Sequence, residues 1–145
     1  MPEPFTLTKE VITRMFDAAA TGDISVWLGT IDPDVEWVIA RPDGHDKRTL
    51  AGTYDYASWT DKVLGTMLPH LDGALKMELV SVEIIGNKAI LETRASAPRK
   101  DGRMYTNFYA WFMTFSPQGK IVKLREYLDS SAVRDLLEGT SKSAD

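Results

Sequence analysis

Glu126 is the residue of this chain best placed to move a proton. Read with period two, Val122, Leu124, Glu126 and Leu128 share one face of a strand, while Lys123, Arg125 and Tyr127 take the other. A carboxylate among three aliphatic side chains loses its water when that face turns inward. Desolvation then raises its pKa and lets it exchange protons near neutrality. The alternative is a carboxylate neutralised by a neighbouring arginine for structural reasons. The preceding run places Tyr105, Asn107, Tyr109, Trp111, Met113 and Phe115 on one face. A tyrosine hydroxyl in an apolar pocket donates to a developing anion, although an amphipathic core tyrosine has the same signature. Tyr105 and Tyr109 stand ~13 Å apart along a strand, so they are expected to touch different parts of a substrate. Asn107, between them, offers a donor and an acceptor to a substrate carbonyl.

Other candidates come from the first strand and its neighbours. Arg41 continues the odd-numbered face of Val35, Trp37 and Ile39, where a guanidinium could hold Glu126 charged or stabilise an oxyanion. The other reading is a surface arginine at a strand end. Trp37, Trp111 and Met67 are expected as core or pocket lining. Arg94 is a candidate substrate contact, or it pairs with Glu92 on the solvent face.

The elements that must hold these residues are legible. Val11, Ile12, Met15, Phe16, Ala19 and Ala20 form a helical stripe that Thr6 or Thr8 can cap and Gly22 can end. Asp23 caps a short second helix through Ile24, Trp27 and Leu28. Pro33 is expected to end it before a strand at Val35–Ile39. Residues Pro42–Leu50 form a polar loop, and Tyr56, Trp59, Val63 and Met67 mark a third helix that stops near Pro69. Four strand-like runs follow, Lys76–Ile85, Lys88–Ala97, Met104–Phe115 and Lys120–Leu128. Their short turns at Gly86-Asn87, Arg99–Gly102 and Pro117–Gly119 force an antiparallel meander. Arg134–Leu137 adds a helical turn, and Thr140–Asp145 reads as a disordered tail. Helices followed by a long curved sheet predict one α+β domain over residues 1–139, with a pocket between helices and sheet.

Composition narrows the function. The 145 residues carry a net charge of -4, and the basic runs at Asp46–Arg48 and Arg99–Asp101 are interrupted by acids and read as solvated turns. Nucleic-acid binding is therefore not expected. There is no cysteine, and His45 and His70 lie far apart, so neither thiolate nor metal chemistry is expected. No apolar run approaches a membrane span and the N-terminus lacks a leader pattern, which points to a cytoplasmic protein without a membrane partner.

Several motifs in order resemble the NTF2-like superfamily, in its SnoaL-like polyketide cyclase branch, over about residues 8–137. They are Asp34-Val35-Glu36-Trp37, Leu50–Tyr54, Tyr105-x-Asn107-x-Tyr109, Gly119–Val122 and Arg125–Asp129. The resemblance implies a cone-shaped α+β barrel, a homodimer, and a hollow for a small hydrophobic substrate. It also implies that the face carrying Arg41 points inward. The fold hosts many chemistries, so the resemblance does not fix the reaction. The epoxide hydrolases of the superfamily resemble this chain at Arg94 and Glu126, but Ser96 stands where their aspartate would be. The ketosteroid isomerase pattern of paired aspartates is also incomplete. Fungal semipinacolases of brevianamide-type alkaloid biosynthesis are more similar. That likeness implies Glu126, Arg41, Tyr105 and Tyr109 as the catalytic set.

The sequence therefore predicts a cofactor-independent isomerase or cyclase of hydrophobic secondary metabolites. Glu126 would act as base, Arg41 would orient it, and Tyr105 or Tyr109 would donate. Asn107, Trp37, Trp111, Met67 and Arg94 would contact substrate. A non-catalytic ligand-binding module and a hydrolase or dehydratase are the alternatives.

Overall fold

Thr8 opens the first helix by accepting the Val11 N–H on its hydroxyl at 3.2 Å, and the chain winds on through α1 (Lys9–Ala19). The computed structural model of the chain describes residues Pro4–Gly139; the tail expected at Thr140–Asp145 lies outside them. α1 buries Ile12, Met15, Phe16 and Ala19, the stripe read from the sequence. Gly22 turns the chain at φ 101°, where an added Cβ would stand 2.8 Å from Ala74. Asp23 then accepts the Ser25 N–H and hydroxyl, holding the start of α2 (Ser25–Thr30), which buries Trp27.

Pro33 does not end a helix; it lies within β1 (Ile31–Ile39). The register of β1 shifts between Ile31 and Glu36, and at such an irregularity a residue without an N–H disturbs no ladder. β2 (Gly52–Tyr54), β3 (Lys76–Ile85), β4 (Lys88–Pro98), β5 (Met104–Phe115) and β6 (Ile121–Leu128) complete a curved six-stranded sheet ordered β2-β1-β6-β5-β4-β3. β3 to β6 form the expected meander. The β1–β6 pair is parallel, so the sheet is not wholly antiparallel as expected. A parallel neighbour needs a long crossover, and here the whole segment from β2 through β5 supplies it.

Between β2 and β3 lies a helical segment that changes pitch. Asp55 and Ser58 form a reciprocal cap for α3 (Tyr56–Trp59), and a π-helical turn, Thr60–Leu64, follows. α4 (Gly65–Met67) and a 3-10 turn, Leu68–His70, finish it. Trp59, Val63 and Met67 recur every fourth residue, which in an α-helix would drift around the axis. The wider π turn takes up the excess, and all three stay on the inner side. α5 (Ser130–Gly139) is longer than the single turn expected, because Asp129 accepts the Ser131 N–H and hydroxyl at its start. No helix among the described residues is long and apolar enough to cross a membrane.

Candidate active site

β6 sits between β1 and β5, the most enclosed place in the sheet, and it carries Glu126 inward with Leu124. The register sets Glu126 opposite Trp111 on β5 and Ile39 on β1. Trp37, two residues before Ile39 on the same face of β1, donates its indole N–H to Glu126 Oε1 at 2.9 Å. Among the described residues no cation pairs with this carboxyl, and it is 5% exposed. Burial pushes its pKa up to about 8, with the Trp37 hydrogen bond pulling the other way. Glu126 is therefore mostly protonated at neutral pH.

β5 supplies the facing hydroxyls. Strand spacing alone holds Tyr105 and Tyr109 apart, yet in the structure their hydroxyls meet at 2.8 Å. Their backbones are far apart along the strand, but on the concave side of a curved sheet the long side chains converge over Asn107. Asn107 Nδ2 donates to the Tyr105 hydroxyl at 2.9 Å and to the Asp129 carbonyl at 3.0 Å. Its Oδ1 accepts from the N–H groups of Phe108 and Asp129. The amide is fully occupied, so Asn107 positions the tyrosines and β6 end rather than meeting substrate. Burial raises Tyr105 to about 12 and Tyr109 well above its usual value, so both stay neutral donors. With Tyr105 donating to Tyr109, the Tyr109 hydrogen is left for an acceptor in the cavity.

Four tryptophans close the space around Glu126. Trp37 and Trp59 stack at 4.2 Å, and Trp27 meets Trp111 edge-on at 5.2 Å. Trp111 donates its N–H to Thr93 at 2.7 Å, and Tyr109 stacks on Trp111 at 5.2 Å. Glu126, Tyr109, Trp111, Trp27, Trp59 and Met67 border a cavity of about 40 Å³. That is room for a few waters or a small head group, and less than the hollow the sequence reading anticipated. Across the helical segment, Asp61, Lys62 and Thr66 face an outer cleft of about 490 Å³ that His45 and Tyr54 also border. The segment around the π turn thus lies between the small inner cavity and the larger outer cleft.

Two expected site residues lie elsewhere. β1 stops at Ile39 because Ala40 adopts a left-handed φ of 62°, which ends the period-two alternation. Arg41 consequently turns to solvent and approaches Asp43 at 3.8 Å, with no contact to Glu126. Arg94 follows the alternation of β4, where Thr93 and Ala95 face inward, and so points outward to Glu78 at 3.9 Å. Ser96 shares that outer face, so the epoxide hydrolase likeness fails at both positions. Glu92 meets Ser81 rather than Arg94.

Two residues were missed. Trp27 lines the cavity although its helical stripe looks like plain core. Arg99, read as part of a solvated turn, is 4% exposed and binds Asp101 at 2.7 Å and Asp135 at 2.6 Å. Its alternation with the buried Ala95 and Ala97 on the inner face of β4 was the available signal. Among the described residues no three His, Asp or Glu side chains converge as a metal site requires.

The profile of the SnoaL-like domain family matches residues 12–124. UPF0523 protein C of Dictyostelium discoideum is 31% identical over 86 residues, 55% of this chain and 55% of that protein. The match thus spans about half the length of that curated relative. Among solved structures, an NTF2-like protein of Burkholderia thailandensis is 21% identical with a TM-score of 0.66, over 89% of this chain and 95% of that one. IdmH of Streptomyces antibioticus, a candidate polyketide cyclase, is 15% identical with a TM-score of 0.63, over 88% of this chain and 96% of that one. At such identities these structures show a shared NTF2-like fold.

Proposed function

The chain belongs to the SnoaL-like domain family, and we propose that it is a cofactor-independent isomerase or cyclase of small hydrophobic secondary metabolites. The work would be proton transfer between Glu126 and Tyr109. The observation that carries this reading is a buried carboxyl with no cation beside it among the described residues, bordering one cavity with a hydroxyl relay. Loss of Arg41 from the set changes the role of Glu126. With its pKa about 8, roughly one molecule in ten holds the carboxylate at pH 7, and that fraction is a strong base in a dry site.

In the forward step the carboxylate takes a proton from a hydroxyl or from a carbon beside a carbonyl. Tyr109 gives its proton to the oxygen or nitrogen that gains the electron pair, and Glu126 returns one to Tyr109. One proton leaves the substrate and one arrives, so the product is an isomer. A semipinacol-type shift of an oxidised indole is the specific version. The hydroxyl proton goes to Glu126, its C–O bond becomes a carbonyl, and a carbon substituent migrates with its bonding pair to the imine carbon. The imine nitrogen then takes the Tyr109 proton. The tryptophan walls would fix which face migrates, since orientation supplies much of such selectivity. The small cavity means that its lining residues must move apart to admit a substrate, and the half-exposed Leu68 marks where the lining reaches the surface.

The test uses 1-indanone, an apolar bicycle with acidic hydrogens beside its carbonyl, in deuterated water. The wild-type protein is expected to accelerate deuterium uptake at that carbon, with a rate that rises with pH to a plateau above about 8. Glu126→Gln is expected to lose ~10²–10⁴-fold of the acceleration. Equal rates for the two proteins would refute the assignment.

A further inference from the structure

Among the described residues the indole N–H of Trp27 has no hydrogen-bond partner, although the residue is 2% exposed. Buried donors in native proteins nearly always find a partner, and an orphan costs stability unless something answers it. The surrounding tryptophans sharpen the contrast. Trp37 donates to Glu126 and Trp111 to Thr93, so the fold provides partners for two neighbouring indoles and leaves Trp27 open. Trp27 also borders the cavity that Glu126 and Tyr109 border.

We propose that the Trp27 N–H is a substrate-binding donor, which holds a neutral acceptor atom, such as a carbonyl oxygen, on an otherwise apolar ligand. The chemistry of the walls selects that class. An indole N–H can only donate. Among the described residues no lysine or arginine borders the cavity, so an anionic ligand would be stripped of water with no cation to meet it. Glu126 in its protonated form and Tyr109 are also donors, so the cavity offers donors to an acceptor-bearing head group. Once the lining moves apart, Trp27, Trp59 and Trp111 would meet the flat apolar body. Trp27 would fix which acceptor of a substrate with several carbonyls enters the reacting position. This inference rests on reading the cavity as the reaction site.

Indole nitrogens labelled with ¹⁵N report on the tryptophans directly, with Trp→Phe variants assigning the signals. On titration with 1-indanone, the Trp27 indole proton is expected to move downfield further than any other indole proton, and saturably. Indane, the same ring system without oxygen, should produce no such shift. Trp27→Phe is expected to weaken binding of 1-indanone roughly three- to ten-fold and leave indane unaffected. Equal shifts from ketone and hydrocarbon, or no Trp27 shift at the solubility limit of the ketone, would overturn the proposal. So would a water cross-peak that stays on the Trp27 N–H with ketone bound, since water alone would then be its partner. Deuterium uptake by Glu126→Gln separates the two readings: loss of exchange without a Trp27 shift sinks only this inference. A Trp27 shift with exchange unaffected by Glu126→Gln sinks only the proton-transfer reading.

Discussion

Two charged side chains are buried among the described residues, and the fold treats them in opposite ways. Arg99 is enclosed at the β4–β5 turn, and two carboxylates close on it, Asp101 from the turn and Asp135 from α5. Glu126 is enclosed at the centre of the sheet and receives one neutral hydrogen bond. The first arrangement keeps the charge and ties three segments together. The second suppresses the charge and leaves a carboxyl that changes state near neutral pH. Burial alone therefore does not mark a functional group; burial without a counter-charge does.

The contrast can be broken at each end. Arg99→Ala leaves Asp101 and Asp135 to Arg103 alone and opens the β4–β5 turn beneath α5. Arg99 is buried and ties two segments together, while the acids it leaves are partly exposed, so chemical denaturation should show a loss of ~2–3 kcal/mol. A loss below ~1 kcal/mol would make the Arg99 cluster an ordinary surface network.

Glu126 predicts a pH dependence with a definite sign. Its folded pKa, about 8, lies above the usual 4.5, so the folded state holds its proton longer than the unfolded chain does. Stability from this group is complete below pH 4.5 and falls as pH rises through about 8. The slope approaches ~1.4 kcal/mol per pH unit between those limits. Glu126→Gln, which cannot ionise, should remove that slope, as denaturation curves across the range would register. A variant with the same slope as wild type would place the titrating group elsewhere.

The hydroxyl relay predicts a smaller effect. Tyr105→Phe removes the bond to Tyr109 and frees one Asn107 donor, a loss of ~1 kcal/mol in stability. Because Tyr109 keeps its hydroxyl, deuterium exchange should slow less than in Tyr109→Phe. The reverse ranking would make Tyr105 the donor. Smallest of all are Arg41→Ala and Arg94→Ala, whose side chains face solvent on weak pairs. Each should change stability by less than ~0.5 kcal/mol and leave exchange unaltered. A large loss of exchange in Arg41→Ala would restore the guanidinium to the site.

Period two accounts for what the sequence made legible. It placed Tyr105, Asn107, Tyr109 and Trp111 on the inner face of β5, and Glu126 with Leu124 on that of β6, because long regular strands keep strict alternation. Alternation fails where the backbone leaves the strand region. Nothing near Arg41 announces that Ala40, which is not a glycine, will take a positive φ and turn the arginine outward. Sheet curvature is also invisible to a one-dimensional pattern, so the meeting of the Tyr105 and Tyr109 hydroxyls could not be read from spacing. The parallel β1–β6 pair joins segments some ninety residues apart in sequence, Trp37 beside Leu124, and no local turn encodes it. Trp27 hid for a different reason: an apolar residue on a helical stripe looks the same whether it faces core or cavity.

The state of Glu126 is the point on which everything else turns. With the side-chain carboxyl labelled with ¹³C, its chemical shift can be followed by NMR from pH 3 to pH 10. A midpoint at about 8, absent from the Glu126→Gln protein, is the predicted result. A midpoint near the usual 4.5 would mean an ionised carboxylate at neutral pH and would contradict the account of a dry, unpaired acid.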